Sequence, residues 1–227
     1  RGQPRKSTQV MDLEEVWRRR EEEVYPALFG PLSRGIFPLP AELFVQRFRQ
    51  TEIDPRWLTM GVLEFGPTAE RPSWLYITSG YSNPWHQEPA DYDPEGESGS
   101  GIEFAMQTAE QAEWAIPVLA SMLAFDVLLS AGRLPSGAPL SLYDRIPYGA
   151  PVTGEEGCVL TNLILAPAEG MPDSFVLPSG KAHIAAFTAV SDAELELARN
   201  EGTKAILDRL REAGHHPVVR PERASIV

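Results

Sequence analysis

The chain predicts an α+β fold: a single compact domain in which a mixed, mainly antiparallel sheet is packed by helices. Several strand-length apolar or alternating runs, helix-length amphipathic stretches with start and stop signals, and the absence of any fixed-period repeat point that way. A length of 227 residues with 43% hydrophobic content is enough to build one full core.

Residues 1–11 are basic and polar without periodicity and are expected to form a disordered leader. The chain begins with Arg1; Met11 is one candidate for the true start, and a processed piece or an incomplete gene model are the others. From Asp12 to Tyr25, Leu13, Val16, Trp17 and Val24 recur at near-helical spacing, which predicts an amphipathic helix ended by Pro26. Gly30, Pro31, Gly35, Pro38 and Pro40 predict an irregular crossing over 27–40. Strands are expected at Trp57–Phe65 and Trp74–Ser79, joined as a hairpin-like pair by the turn-rich G-P-T-A-E-R-P.

Gln87–Ser100 reads as a loop rich in Gly, Pro and acid, and Gly101–Gln107 as a strand alternating Ile102, Phe104 and Met106 with Glu103, Ala105 and Gln107. Trp114–Ser130 is the longest expected helix: Pro117 is tolerated near its first turn and Gly132 ends it. Val159–Leu165 and His183–Val190 are nearly continuous apolar runs, expected as central strands. Ser191 and Glu194 form a capping box that opens a helix at Asp192. A further helix is expected at Thr203–Glu212, ended by Gly214, with a last short strand within His216–Arg220. The domain is bounded at 12–220, leaving 221–227 as a tail.

Thirty-two acidic against twenty basic side chains give a formal charge of -12, which repels phosphate backbones and anionic membranes and favours basic partners. Nucleic acid and membrane are therefore not expected as ligands. The single cysteine, Cys158, excludes an internal disulfide framework and is expected as a buried strand residue. No window approaches the roughly 20 apolar residues of a membrane span, and the N-terminus is not a signal peptide. A reducing cytoplasm fits.

Catalytic and cofactor chemistry finds no constellation. His86-Gln87-Glu88 lacks the further ligands of a zinc site, and Asp91, Asp93, Glu95 and Glu97 lack calcium-loop spacing. The glycine-rich Gly96–Gly101 precedes a strand rather than a helix and has no following lysine, so it reads as mobile rather than phosphate-binding. No G-x-S-x-G elbow occurs. His183 reads as a core or strand-pairing residue. No catalytic residue, metal or cofactor is expected.

What remains is a group of aromatics, Tyr76, Tyr81, Trp85 and Tyr92, with the acids Glu88, Asp91 and Asp93 around one strand end. Aromatics rimmed by charge have the composition of a binding hot spot. The competing reading, that Trp74, Tyr76 and Trp85 pack the core beneath the loop, stays open.

The run F-G-P-T-A-E-R-P-S-W-L-Y-I-T-S-G-Y-S-N-P-W-H, followed by G-S-G-I-E-F, resembles the suppressor of fused family. The matching residues are Pro67, Thr68, Arg71, Pro72, Trp74, Thr78, Gly80, Ser82, Gly101, Glu103 and Phe104. A downstream match, P-S-G-K-A-H-I-A-A-F-T-A-V-S-D-A-E-L, keeps order and spacing, so the likeness runs from about 42 to 214. The resemblance implies a non-enzymatic protein that clamps an extended peptide as an added strand, with Tyr76 on the tyrosine of the family's peptide-binding motif and Glu88 placed loosely as its acid. Bacterial single-domain members look like immunity proteins of polymorphic toxin systems. The leading expectation is therefore a cytoplasmic protein that neutralises a basic toxin domain, with partner contacts at Tyr76, Tyr81, Trp85, Glu88 and Tyr92. A general peptide-binding adaptor and an uncharacterised hydrolase are the alternatives.

Overall fold

A computed structural model of the chain describes residues 12–135 and 137–227; the expected leader lies outside them. Helix α1 (Leu13–Arg19) starts where the Asp12 side chain accepts from the Glu15 N–H, and it runs through a wide π turn at Arg20–Val24 into α2 (Tyr25–Phe29). The expected stop at Pro26 is corrected. The proline falls in the first turn of α2, where a missing N–H costs least, and Gly30 at φ 90° ends the helix.

The expected irregular crossing is corrected too, because Leu32–Pro38 forms strand β1, paired with β2 (Gly61–Phe65) through two register shifts. Helix α3 (Ala41–Phe48) follows without any side-chain cap. The front of the expected Trp57–Phe65 strand is instead a 3-10 turn, Pro55–Thr59, because Asp54 accepts from the Arg56 N–H and Pro55 presets the first turn. β3 (Trp74–Ser79) has the expected bounds and lies antiparallel to β2.

The remaining strands are β4 (Glu97–Thr108), β5 (Arg145–Pro147), β6 (Leu160–Pro167), β7 (Ser174–Leu177), β8 (Gly180–Ser191) and β9 (Val218–Val219). Their order is β1-β2-β3-β4-β8-β6-β5, with β7 on β8 and β9 on β4. Pairing is antiparallel except where β4 meets β8 and β9. The sheet is therefore mixed and mainly antiparallel, as the sequence predicts. The glycine-rich start of β4 is strand rather than a free loop. Gly99, at φ +56°, lies so close to the Asn83 carbonyl that a Cβ there would stand 2.3 Å from its oxygen.

Side-chain alternation splits the core between the sheet's faces. On one face Phe104, Met106, Leu163, Leu165 and Phe187 pack with Val118, Met122 and Leu123 of α4 (Ala115–Ser130), a helix buried on nearly all sides rather than along one stripe. On the other, Leu63, Phe65, Leu75, Ile77, Phe175 and Leu177 pack with Val16, Tyr25 and Phe29. Helices α5 (Asp192–Glu201) and α6 (Thr203–Glu212) cover Ile164, Ala166 and Val190, and the capping box at Ser191 and Glu194 forms in full.

Cys158 is buried but precedes β6 instead of lying in it, and His183 pairs with Ile102 and Ser174 while remaining exposed. The stretch 221–227 is tied down. The Arg223 guanidinium donates to both oxygens of the buried Glu194 carboxylate, at 2.6 and 2.7 Å.

Candidate functional site

The motif around Phe65–Phe104 first builds a scaffold. Thr68 and Arg71 close a turn, and the buried Arg71 guanidinium donates to the carbonyls of Phe29, Gly66 and Ser73. Arg71 thereby caps the C-terminus of α2 with positive charge, the sign a helix end favours. Burial pushes its pKa down, and no carboxylate among the described residues pairs with it.

Thr78, Gly80, Ser82 and Glu103 form a second device. The Glu103 side chain, with no exposed surface, accepts from the Thr78 hydroxyl (2.5 Å), the Gly80 N–H (3.1 Å), and the N–H and hydroxyl of Ser82 (2.8 and 2.6 Å). Four donors on one carboxylate fix the chain as it leaves β3. Gly80 turns there at φ +113° against Met60. Behind this turn Arg20, buried in the π segment, donates to Ser79 Oγ (2.9 Å) and Asn83 Oδ1 (2.5 Å) and reaches Ser82 Oγ at 3.3 Å. Ser82 thus links a buried cation to a buried anion, and helix α1 is locked to the turn.

The turn forms one wall of a cleft of about 600 Å³, lined among others by Trp57, Met60, Tyr81, Asn83, Trp85 and Ser130. Asp54, Arg56 and Glu97 bring charge to the lining. The acidic loop follows Trp85. Between Gln87 and Ser100 the loop and the first residues of β4 carry five carboxylates, Glu88, Asp91, Asp93 and Glu95 in the loop and Glu97 at the start of the strand, and no Lys or Arg. All five residues are exposed. The loop is nevertheless anchored, because the Gln87 amide donates to the carbonyls of Ser179 (3.0 Å) and Glu97 (3.1 Å) and accepts from the Gly99 N–H (2.8 Å).

The structure separates the aromatics that the sequence places together. Tyr81 and Trp85 do meet at the cleft. Tyr81, however, is only 5% exposed; its hydroxyl donates to Asp126 Oδ2 at 2.6 Å and lies 2.9 Å from Ser130 Oγ. Burial, together with the Asp126 charge, pushes the Tyr81 pKa up, and burial likewise raises that of Asp126. A phenol held neutral in this way cannot serve as a ready base.

Tyr76 is fully buried, donating to Glu64 Oε2 (3.0 Å) and accepting from the Ala112 N–H (2.7 Å). It belongs to a network in which the buried Glu64 carboxylate also accepts from Arg34, Gln111 and Ser33. Burial acts to raise the Glu64 pKa, but these donors override it and hold it at about 2. Tyr92 is half-buried and packs on the opposite face of the sheet, against the cluster of Val16 and Tyr25. The expectation of one exposed aromatic group is therefore corrected: Tyr76 and Tyr81 have their hydroxyls engaged in the core, and Trp85 and Glu88 reach the surface.

Sequence reasoning missed Arg20 and Glu103 as organisers of the turn. Glu103 is met by main chain and hydroxyls, and Arg20 by hydroxyls, an amide and its chain neighbour Glu21 at 3.8 Å, so no opposite charge at a telling spacing marks either as part of the turn. Among the described residues no helix is long and apolar enough to cross a membrane.

The model of the suppressor of fused protein (SUFU) family matches residues 56–224. Among solved structures, the crystal structure of the Sufu-Fu complex contains a chain 19% identical, with a TM-score of 0.57, covering 83% of this chain and 93% of that one. Drosophila Suppressor of Fused is 17% identical with a TM-score of 0.58 over 84% of this chain, which spans 52% of the fly protein. A SUFU homolog from Neisseria gonorrhoeae is 14% identical, with a TM-score of 0.51 over 74% of this chain and 78% of that one. A comparison with curated proteins gives no match.

Proposed function

The chain belongs to the suppressor of fused family, and from that premise we propose that it is a non-catalytic protein-binding domain whose partner docks on the acidic loop and the adjoining cleft. The observation that carries this reading is the anchored loop, which with the start of β4 presents five exposed carboxylates and no basic residue beside the half-buried Trp85. Anchoring matters because an interface that is already ordered loses less entropy on binding. Trp85 offers an aromatic anchor at the cleft, and Glu88 and its neighbours offer a rim that selects a basic surface. Tyr81 and Tyr76 act from beneath, the first holding the cleft wall through Asp126 and the second holding Glu64. Tyr92 supports the far side of the loop.

In the finer reading the partner is a basic toxin domain, the protein acts in the cytoplasm as its immunity factor, and an extended segment of the partner adds to the sheet. The charge of -12 supports a basic partner, and the crystal structure of the Sufu-Fu complex is a precedent for partner binding in a protein of this fold. Co-expression tests it. The chain should restore growth to cells making a basic toxin domain encoded beside it, and the E88K/D91K/D93K variant should not. Equal protection by both would refute the docking surface; no protection by either would refute the immunity role.

A further inference from the structure

A buried charge is costly unless the fold answers it with an opposite one. Three arginines, Arg20, Arg71 and Arg223, are buried, none more than 7% exposed. Arg223 pairs with the Glu194 carboxylate at 2.6 Å, and Arg20 reaches Glu103 through Ser82 and stands 3.8 Å from Glu21. Arg71 differs. It meets no carboxylate among the described residues and donates to the carbonyls of Phe29, Gly66 and Ser73 instead. Carbonyls satisfy its hydrogen bonds in part but leave its net charge uncompensated. Three of the five N–H donors of a guanidinium are used in this way, and the others have no partner among the described residues.

Arg71 lines a cleft of about 350 Å³ between the end of α2, the turn before β3 and the segment before β7. That volume lies at the small end of the range for small-ligand sites. Pro26, Leu28, Met171 and Pro172 give the cleft apolar walls. Thr68 adds a hydroxyl, whose oxygen accepts from the Arg71 N–H at 3.0 Å while its own proton has no acceptor among the described residues. The Phe29 carbonyl, at the helix end whose dipole repels anions, is covered by Arg71 itself. Among the described lining residues Arg71 is the only base and Glu70 the only acid. Glu70 is exposed, so water screens its charge, whereas that of Arg71 acts in a desolvated place.

We propose that this cleft binds a carboxylate carried on a short apolar group, with Arg71 and Thr68 holding the carboxylate and Pro26, Leu28 and Met171 packing on the apolar part. A monoanion suits the site better than a phosphate dianion, because repulsion from Glu70 and from a chain of charge -12 grows with the charge of the ligand. A free aliphatic acid and the C-terminus of a peptide ending in an apolar residue present this same chemistry. The cleft shares no lining residue with the one beside Trp85 and none with the acidic loop, so the site goes beyond the docking reading and does not depend on it.

NMR titration of the isotope-labelled whole chain tests this, with isovalerate, its neutral amide isovaleramide, inorganic phosphate, and the peptide Ala-Ala-Leu with a free or an amidated C-terminus as probes. Isovalerate should shift the Arg71 Nε–H signal and the Gly30 and Met171 amides saturably, while isovaleramide and phosphate should bind about tenfold more weakly or worse, the loss of one charge-assisted bond. Arg71→Gln should weaken isovalerate binding by about tenfold or more. Should that variant unfold, Met171→Glu places a negative charge in the wall at a half-buried position and should have the same effect, while the uncharged Met171→Gln should bind as wild type does. A free-acid peptide that binds about tenfold or more tighter than both isovalerate and its own amidated form assigns the site to a chain terminus, and a smaller difference assigns it to a free acid. The proposal is overturned if isovalerate gives no saturable shift at these residues, or if isovaleramide or phosphate binds as tightly. It is also overturned if folded Arg71→Gln binds isovalerate as wild type does, or if Met171→Glu and Met171→Gln bind it alike.

Discussion

Truncating Tyr81 distinguishes a core tyrosine from a surface anchor. Its ring is 5% exposed and packs against Phe104 with centroids 6.0 Å apart, and its hydroxyl satisfies the buried Asp126. Tyr81→Phe removes only the hydroxyl. Asp126 keeps the Leu140 N–H as a donor but loses one bond in a desolvated place, which costs about 1 to 3 kcal/mol. Tyr81→Ala also opens a cavity, and large aromatic truncations in cores cost about 3 to 5 kcal/mol. For a chain of this size each kcal/mol lowers Tm by about 2 to 4 °C, so the alanine variant should melt about 6 to 20 °C below wild type. The phenylalanine variant should fall between them. Urea and thermal denaturation followed by near-ultraviolet circular dichroism read both. An alanine variant whose Tm stays within about 2 °C of wild type would refute the core assignment, since that shift corresponds to less than 1 kcal/mol.

Three further outcomes are expected. Glu64 is ionised more readily in the folded chain than in the unfolded one, so its contribution is complete above the ordinary carboxylate range and is lost as pH falls through about 2. The urea midpoint of Glu64→Gln should therefore lie below that of wild type at neutral pH and converge with it in strong acid; a constant gap across the titration would contradict the network. Gly99→Ala places a Cβ against the Asn83 carbonyl at φ +56° and should destabilise by more than about 1 kcal/mol, and an unchanged melting curve would show that the close approach is not required. Association with a basic partner should slow as salt rises, because the acidic surplus acts through long-range steering; stopped-flow rates that stay flat between low and physiological salt would remove that role for the charge.

Much of the fold is legible where local signals and tertiary packing agree. The bounds of β3 and α6 follow from the turn-rich segment before the strand and from the glycine that ends the helix, and the Ser191–Glu194 capping box declares the start of α5 by itself. The misses have physical causes. β1 carries Gly35 and Pro38, which read as loop, and it is strand only because β2 supplies its partner. α3 follows Pro38-Leu39-Pro40 with no capping side chain, so nothing local announces it. The helix continues past Pro26 because a wide π turn, invisible in a 3.6-residue period, moves the proline into a first turn.

At the candidate site, the residue types of the aromatic and acidic cluster are visible in sequence, but their depth is not. Tyr76 and Tyr81 lie under the surface because strand alternation and the Gly80 turn direct them inward. The motif residues that carry the family resemblance, Arg71, Thr78, Ser82 and Glu103, are scaffold here. Their spacing records the hydrogen bonds that shape the turn rather than contacts to a partner.

The most direct test of the account is isothermal titration of the wild-type chain and the E88K/D91K/D93K variant against the partner that co-purifies with wild type, with Tm measured on the same samples. The three charges are exposed, and among the described residues only the Asp93 side chain holds a hydrogen bond, from the Glu95 N–H at 3.0 Å, so they bear on recognition far more than on folding. Binding to the variant should be weaker by about tenfold or more, at least 1.4 kcal/mol, with Tm nearly unchanged. Equal affinity for both proteins would contradict it.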